Sequence, residues 1–276
     1  MSDPGELRLP PAMARRAREF QGPPAPPRPA ATVILLRPDD SGSPSFEVYV
    51  LQRRYTMAFG GVYAFPGGVV DPGDRPDTLR HDWPDRLGVP GDQARAVVGA
   101  AARELFEETG VLLAGRADEP DHTVGDIAAD DWEADRARVA GRELTMAEMT
   151  RRRGLRLRDD LLLPWARWIT PEFEPKRYDT WFFVALLPEA QTARDVSGEA
   201  DRTAWISPAA ADGLAMLPPT RAMLNDLSAY HSLDEVVSAS ARRNAAAPVM
   251  PRVELTSDGG AVVRITRNGK ISRTDR

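Results

Sequence analysis

The stretch Arg103-Glu104-Leu105-Phe106-Glu107-Glu108-Thr109-Gly110 decides how this sequence is interpreted. It completes the strongest helical pattern of the chain, which runs from Gln93 to Thr109 and carries an apolar stripe through Ala101, Ala102 and Leu105. The glycine that follows is a typical C-terminal stop signal. The sequence therefore predicts a helix that ends in a cluster of charged residues.

Three carboxylates of this stretch share one face of the helix. Glu104 lies three and four positions before Glu107 and Glu108, and this face is opposite the apolar stripe. Like charges so close together need either solvent or a cation among them, so a solvated acidic face is the alternative to a metal site. Arg103 can orient a carboxylate, and ligands that are all oxygen favour Mg²⁺, with Mn²⁺ as the second candidate.

A glycine-rich segment precedes this helix. Phe65-Pro66-Gly67-Gly68 lets the backbone approach a ligand closely, because two of its residues lack a side chain. The intervening residues 71–92 are rich in Pro, Gly, Asp and Arg and show no clear period, which predicts a long surface loop.

Together these segments resemble the Nudix hydrolases, whose box runs Gly, five residues, Glu, seven residues and then Arg-Glu-apolar-X-Glu-Glu-X-Gly-apolar. The second half is complete from Arg103 to Val111. The first half is Gly68 and, after five residues, Asp74, which stands where glutamate is usual. Residues 75–102, 28 in number, replace the usual seven.

The expanded box is similar to that of the coenzyme A diphosphatase branch of the family. Leu51-Gln52-Arg53, Phe65-Pro66-Gly67-Gly68-Val69 and the later segments 168–171 and 177–183 also look like that branch. The resemblance covers residues 31–206. It implies an α/β fold, a Nudix-type α/β/α sandwich with a mixed sheet, to which C-terminal helices and a hairpin are added.

The resemblance also implies the roles of individual residues. Glu104, Glu107 and Glu108 would bind one or more Mg²⁺ ions (Mn²⁺ as an alternative), with the backbone carbonyl of Gly68, and Arg103 would orient a carboxylate. Glu199 is the candidate general base, with a solvated loop carboxylate as the alternative. Residues that could contact the substrate, by binding phosphate or stacking on adenine, are Arg53, Arg54, Tyr63, Phe65, Arg177 and Tyr178. Surface charge and core packing are the competing explanations for these six.

Composition limits the remaining function classes. The chain has 276 residues, a net charge of −5 and no cysteine, which excludes disulfides, thiolate metal sites and a generally basic nucleic-acid coat. The longest apolar run, Trp181 to Leu187, is far shorter than the roughly 20 residues of a membrane span. We therefore expect a cytoplasmic protein with no nucleic-acid or membrane partner. The resemblance implies a small-molecule nucleotide diphosphate as substrate, and a homodimer is left open.

Three regions are predicted along the chain: a Pro-rich, partly disordered arm (1–30), a Nudix domain with an insertion at 75–95 (31–206), and a C-terminal helical extension with a β-hairpin (207–276). Predicted strands cover 32–37, 46–53, 111–113, 161–170, 177–187 and 203–206. Residues 126–153 read as a polar helical region with a solvated face, and helices are predicted at 208–216, 219–230 and 233–243. A terminal hairpin is expected over 253–271.

The leading functional hypothesis is hydrolysis of coenzyme A or acyl-CoA to 3′,5′-ADP and (acyl-)4′-phosphopantetheine. ADP-ribose, NADH and dinucleoside polyphosphates remain open as other substrates. An alternative of another class is a non-catalytic module that binds a nucleotide, for which Asp74 and the long insertion are the motivation.

Overall fold

The computed structural model describes residues 6–39, 45–56, 60–119, 122–196, 198, 200–258 and 260–264. Over these residues no helix combines the length and the apolar character that crossing a membrane requires. The strands are β1 (Glu6–Arg8), β2 (Arg28–Pro38), β3 (Phe46–Arg53), β4 (Tyr63–Ala64), β5 (Gly67–Val69), β6 (Ala114–Arg116), β7 (Leu155–Leu157), β8 (Leu163–Ile169), β9 (Tyr178–Leu186), β10 (Ala200–Ile206), β11 (Pro248–Val249), β12 (Arg252–Leu255) and β13 (Ala261–Arg264). The helices are α1 (Pro11–Glu19), α2 (Trp83–Leu87), α3 (Gly91–Thr109), α4 (Asp130–Ala140), α5 (Met146–Arg152), α6 (Pro218–Leu227) and α7 (Leu233–Ser240).

A mixed sheet of eight strands forms the centre of the molecule. Its order is β10-β3-β2-β9-β8-β11, with β4 added to β3 and β5 added to β2. The long strands β2 and β9 pair in parallel from Arg28 with Tyr178 to Leu36 with Leu186. The short strand β5 runs antiparallel to the first half of β2, which brings the two neighbouring glycines Gly67 and Gly68 to the centre of the sheet.

Helices cover both faces of this sheet, as the alternation of its side chains requires. Val33 and Leu35 point to the side of α2 and α3, and Ile34 and Leu36 point to the side of α6 and α7. This arrangement confirms the predicted α/β/α sandwich with a mixed sheet.

Helix α3 is buried on two sides. Val98 and Leu105 pack against the sheet, whereas Ala102 and Phe106 pack against Leu144 and its neighbours from α4 and α5. The helix that carries the charged cluster is therefore held rigidly within three layers.

The N-terminal region differs from the expected extended and partly disordered arm. Residues 6–8 form β1, which pairs with β13, and helix α1 follows. Leu9 and Met13 are buried in a small cluster with Ala261, and Arg16 makes a double hydrogen bond with Glu174, at 3.2 and 2.9 Å. A partner strand more than 250 residues away supplies this order, so local composition does not reveal it.

The insertion is also more ordered than a surface loop. Helix α2 buries Trp83 and Leu87 against α3 and the sheet. The Trp83 indole donates to Asp159 at 2.6 Å and meets Phe183 edge to face at 6.0 Å. The insertion therefore contributes to the core.

Two further predictions of secondary structure are corrected. The predicted strand at 111–113 is irregular, because the side chain of Gln191 replaces a strand partner: it accepts from Leu112 N at 2.9 Å and donates to Leu112 O at 3.0 Å. The predicted helix at 208–216 is reduced to a 3₁₀ turn at 208–211.

Residues 126–153 form two helices, whose apolar face toward α3 is buried. Charged residues on the outer side, among them Asp130, Asp131 and Glu148, are exposed as predicted. At the C-terminus β12 and β13 form the first part of the expected hairpin, and residues 265–276 lie outside the described residues.

Candidate active site

The three glutamates lie together at the C-terminal end of α3. Gly110 ends the helix in the left-handed conformation (φ 71°), and its N–H donates to Phe106 O at 2.9 Å. Glu104, Glu107 and Glu108 are all buried, with 7 to 9% of their surface exposed. A solvated acidic face is therefore excluded as the explanation of this cluster.

Arg103 links the cluster to the loop before α3. Its Nη1 donates to Glu104 at 2.7 Å and to Glu107 at 3.2 Å. Its Nε and Nη2 donate to the two oxygens of Asp74 at 2.7 and 3.0 Å, and Nη2 also reaches the carbonyl of Val69 at 3.0 Å. These contacts fix the orientation of three carboxylates, those of Asp74, Glu104 and Glu107.

Asp74 is thus a structural partner of Arg103 in place of the usual glutamate. Its side chain is 2% exposed, and Oδ2 also accepts from Asp71 N at 2.7 Å. The shorter side chain is compensated by a close approach of the backbone: a Cβ on Gly99 of α3 would come within 2.9 Å of Asp74 O.

Strand β5 lies against the glutamates from the other side. Gly67 N–H donates to Glu108 Oε2 at 3.1 Å, and a Cβ on Gly68 would overlap the carboxylate of Glu104. Successive backbone groups of a strand point in opposite directions. The backbone N–H of Gly67 and the carbonyl of Val69 contact side chains of α3. The carbonyl of Pro66 instead accepts a hydrogen bond from β2, and the backbone groups of Gly68 therefore also point to β2. This register directs the backbone carbonyl of Gly67 away from β2 and to the side of α3.

Two arginines that the sequence analysis did not select complete the site. Arg136 on α4 donates to Glu107 O at 2.8 Å and pairs with Glu133. Arg142, in the turn between α4 and α5, hydrogen-bonds to the Glu107 carboxylate, and its Nε lies 3.5 Å from Asp71 Oδ2.

Neither arginine belongs to a motif, and each lies about 30 residues from its partner along the chain. The capping box of Thr145 and Glu148 is the available sequence signal for the turn before α5, although it does not show what that turn contacts.

Burial dominates the electrostatics of the cluster. Loss of hydration raises the pKa of Glu104 to about 7, although Arg103 opposes the shift. Burial likewise raises the pKa of Glu107 against the effect of Arg103 and Arg142. Burial acts to lower the pKa of Arg103, but its pairing with Asp74 and the glutamates is stronger, so the net pKa is raised.

The donors of this cluster fit a hard divalent cation in kind. They are carboxylates, and the desolvation that raises the pKa of Glu104 and Glu107 is relieved by a bound cation. In the described part of the chain no three His, Cys, Asp or Glu side chains are placed so that they could hold a metal ion as they stand, and arginines occupy oxygens of Glu104 and Glu107. A metal at this site must therefore compete with those ion pairs.

The proposed substrate contacts fall into two groups. Phe65 is a core residue on the side of α6 and α7, and the buried guanidinium of Arg177 donates to the carbonyls of Thr170 and Ala25, at 3.0 and 2.7 Å. Both residues therefore have structural roles, contrary to the substrate role suggested for them.

The other four candidates are not buried in the core. Arg54 is half-exposed and lies 4.0 Å from Asp201, whereas Arg53, Tyr63 and Tyr178 are half-buried at strand ends. No contact among the described residues places Arg54, Tyr63 or Tyr178 against the glutamates. Glu199, the candidate base, lies outside the described residues.

Comparison with known proteins identifies the class. The family model described as the NUDT19 Nudix domain matches residues 80–215. The crystal structure of a NUDIX hydrolase from Alicyclobacillus acidocaldarius is similar to 78% of this chain and 96% of its own, with 26% identity and a TM-score of 0.61.

Two more distant structures are also similar. RenU, a Nudix hydrolase from M. smegmatis, has 15% identity over 77% of this chain and 86% of its own, with a TM-score of 0.38. The NUDIX domain of Shewanella oneidensis NrtR has 12% identity over 75% and 88%, with a TM-score of 0.40. Likeness at this level does not bear on the activity of the present chain.

The chain belongs to the Nudix hydrolase family. More particularly, it is a Nudix pyrophosphohydrolase, an enzyme that hydrolyses phosphoric anhydrides.

Proposed function

We propose that this enzyme hydrolyses the diphosphate of coenzyme A or acyl-CoA to 3′,5′-ADP and (acyl-)4′-phosphopantetheine, and that it uses Mg²⁺, with Mn²⁺ as the alternative. The observation that carries the substrate is the match of residues 80–215 to the NUDT19 Nudix domain, which belongs to an acyl-CoA diphosphatase branch. Residues 75–102, which replace the usual seven residues within the box, lie largely within that match.

The proposed metal ligands are Glu104, Glu107 and Glu108, with the carbonyl of Gly67 preferred over that of Gly68. Their support is the chemistry of the donors and their burial. A divalent cation bound there neutralises the diphosphate and makes a water molecule more acidic.

Neighbouring residues of the chain hold the carboxylate oxygens of the three glutamates in place. Arg103 orients Glu104 and Glu107, and Gly67 N–H orients Glu108. In the overall reaction the oxygen of water bonds to one phosphorus, the bridging P–O bond breaks, and the bridging oxygen leaves with the other phosphate. The general base stays a prediction, with Glu199 as the candidate.

The first experiment is chromatography of coenzyme A and of an acyl-CoA after incubation with the protein and Mg²⁺. We expect 3′,5′-ADP to appear and the Glu107→Gln variant to lose turnover by about a hundredfold or more, because it loses a charged oxygen at the reacting centre. Glu172→Gln is the matched control, since this carboxylate is exposed and lies in the loop between β8 and β9.

Other outcomes would redirect the proposal. Turnover of ADP-ribose, NADH or a dinucleoside polyphosphate without turnover of coenzyme A would replace the substrate and keep the site. Binding of these nucleotides with no hydrolysis under any metal condition would instead favour the non-catalytic module. Full activity of Glu107→Gln would contradict the assignment of the site.

A further inference from the structure

Arg142 occupies an unusual position beside the three glutamates. It follows Gly141 at the end of α4, and it is the one non-glycine residue in the described ranges whose φ is positive, at 61°. L-residues rarely adopt this conformation, which persists where the surrounding structure enforces it. The surrounding structure therefore holds Arg142 in a backbone conformation that an L-residue rarely adopts.

The enforcing contacts come from both sides of the turn. Val139 precedes Arg142 and Leu144 follows it, and both are buried against α3 in one cluster with Phe106. Glu143 N and Leu144 N both donate to Arg138 O, at 2.9 and 3.2 Å. The backbone of the turn is thus fixed relative to α3.

Only some of the N–H donors of the Arg142 guanidinium form hydrogen bonds within the described part of the chain. Its Nη1 donates to the Glu107 carboxylate and to Val139 O, and Nε lies 3.5 Å from Asp71 Oδ2. Nη2 makes no hydrogen bond within the described part of the chain. The side chain is 44% exposed, whereas that of Glu107 is 11% exposed. A cation with unused donors therefore faces solvent at the edge of a carboxylate cluster.

Arg103 shows what a purely structural arginine in this site looks like. It is 3% exposed, and all of its nitrogens donate to Asp74, Glu104, Glu107 or Val69. Arg142 differs in exposure and in its remaining donor capacity. A planar guanidinium with free N–H groups is well matched to phosphate oxygens.

We propose that Arg142 is a phosphate-binding residue of this active site, which pairs with Glu107 in the metal-free enzyme and binds the diphosphate of the substrate when a divalent cation takes that carboxylate. The inference rests on the proposed metal-dependent function. It assigns to the region after the box a direct part in substrate binding.

Two binding measurements test the proposal without turnover. One is the affinity for Mn²⁺ alone, and the other is the affinity for α,β-methylene-ADP in the presence of Mg²⁺, since the bridging CH₂ of this diphosphate analogue is not hydrolysed. In Arg142→Gln we expect Mn²⁺ to bind about three- to tenfold more tightly, because a competing positive charge is gone. We expect the analogue to bind about tenfold or more weakly, because a charged hydrogen bond is lost.

The matched control is Arg138→Gln, which removes an arginine of similar exposure from α4, the helix just before Arg142, where it pairs with Asp135 at 3.7 Å. It should change neither affinity. An analogue affinity in Arg142→Gln equal to that of the unaltered protein would overturn the proposal and leave the proposed function standing. If the unaltered protein binds neither Mn²⁺ nor the analogue, the proposed function and this inference both fail.

A second variant keeps the test decisive if Arg142→Gln does not fold. Arg142→Lys retains the charge but not the planar fork, so Mn²⁺ affinity should stay close to that of the unaltered protein while analogue binding weakens severalfold. Unchanged analogue binding in this variant would count against the assignment.

Discussion

At the scale of single residues, Asp74 shows how a departure from a family motif can preserve the function of the position. A carboxylate one methylene shorter than the usual one still forms a two-pronged ion pair with Arg103, because Gly99 lets α3 approach the loop. The position therefore serves the orientation of Arg103.

Replacing Asp74 by Asn should destabilise the fold by about 3 kcal/mol, because it leaves a buried guanidinium short of its main counter-charge. Chemical denaturation measures the change. Asp77→Asn is the matched control, because its exposed pair with Arg151 should contribute less than about 1 kcal/mol. An equal decrease in the free energy of unfolding of the two variants would show that the buried Asp74–Arg103 pair contributes no more to stability than an exposed pair.

The sequence identified the glutamates and Arg103 because these residues are close along one helix, where spacing predicts a shared face. Arg142 could not be found in this way. It lies 35 residues after Glu107, and the contact depends on how α4 packs against α3. Residues that act across elements are set by tertiary packing, which spacing along the chain does not report.

At the scale of elements, the same distinction separates the accurate predictions from the corrected ones. The strand over 46–53 has the predicted bounds, and α3 begins two residues earlier than predicted. Both carry a strong internal pattern. By contrast, α2 is short and lies in a Pro-rich segment, so nothing local distinguishes it from a loop until Trp83 and Leu87 are seen in the core.

Helix α2 should make the insertion essential for stability. Trp83→Ala is expected to lower the free energy of unfolding by about 3–5 kcal/mol, because it leaves a cavity and removes a hydrogen bond to Asp159. Urea unfolding followed by circular dichroism provides the measurement. Leu79→Ala, in a partly buried position of the same insertion, should cost clearly less; a similarly small effect of Trp83→Ala would mean that α2 is only loosely attached.

At the scale of the whole molecule, the buried glutamates link stability to pH and to metal. The pKa of Glu104 is about 7 in the folded protein and near its ordinary value of 4.5 when unfolded, so the folded state binds more protons between these values. The contribution of Glu104 to stability is thus most favourable below pH 4.5, and it is lost as the pH rises to the folded-state pKa of about 7. The raised pKa of Glu107 acts in the same direction.

We therefore expect the metal-free protein to be less stable at pH 8 than at pH 5.5, by at most about 2 kcal/mol from Glu104. Thermal unfolding in the presence of a chelator measures this, and Glu104→Gln should reduce the difference. Millimolar Mg²⁺ should restore stability mainly at the higher pH, because protons and metal compete for the same oxygens. Equal stabilisation by Mg²⁺ at both pH values would contradict this linkage.

The pairing of β1 with β13 also orders events during synthesis. Residues 6–8 leave the ribosome before the central sheet and its helices, whereas their partner strand at 261–264 emerges only after them. Contacts between residues distant in sequence form slowly, and domains begin to fold during translation. The N-terminal segment therefore stays unpaired while the central sheet and its helices begin to fold. For that interval its apolar residues, including Leu9 and Met13, are exposed to whatever binds nascent chains.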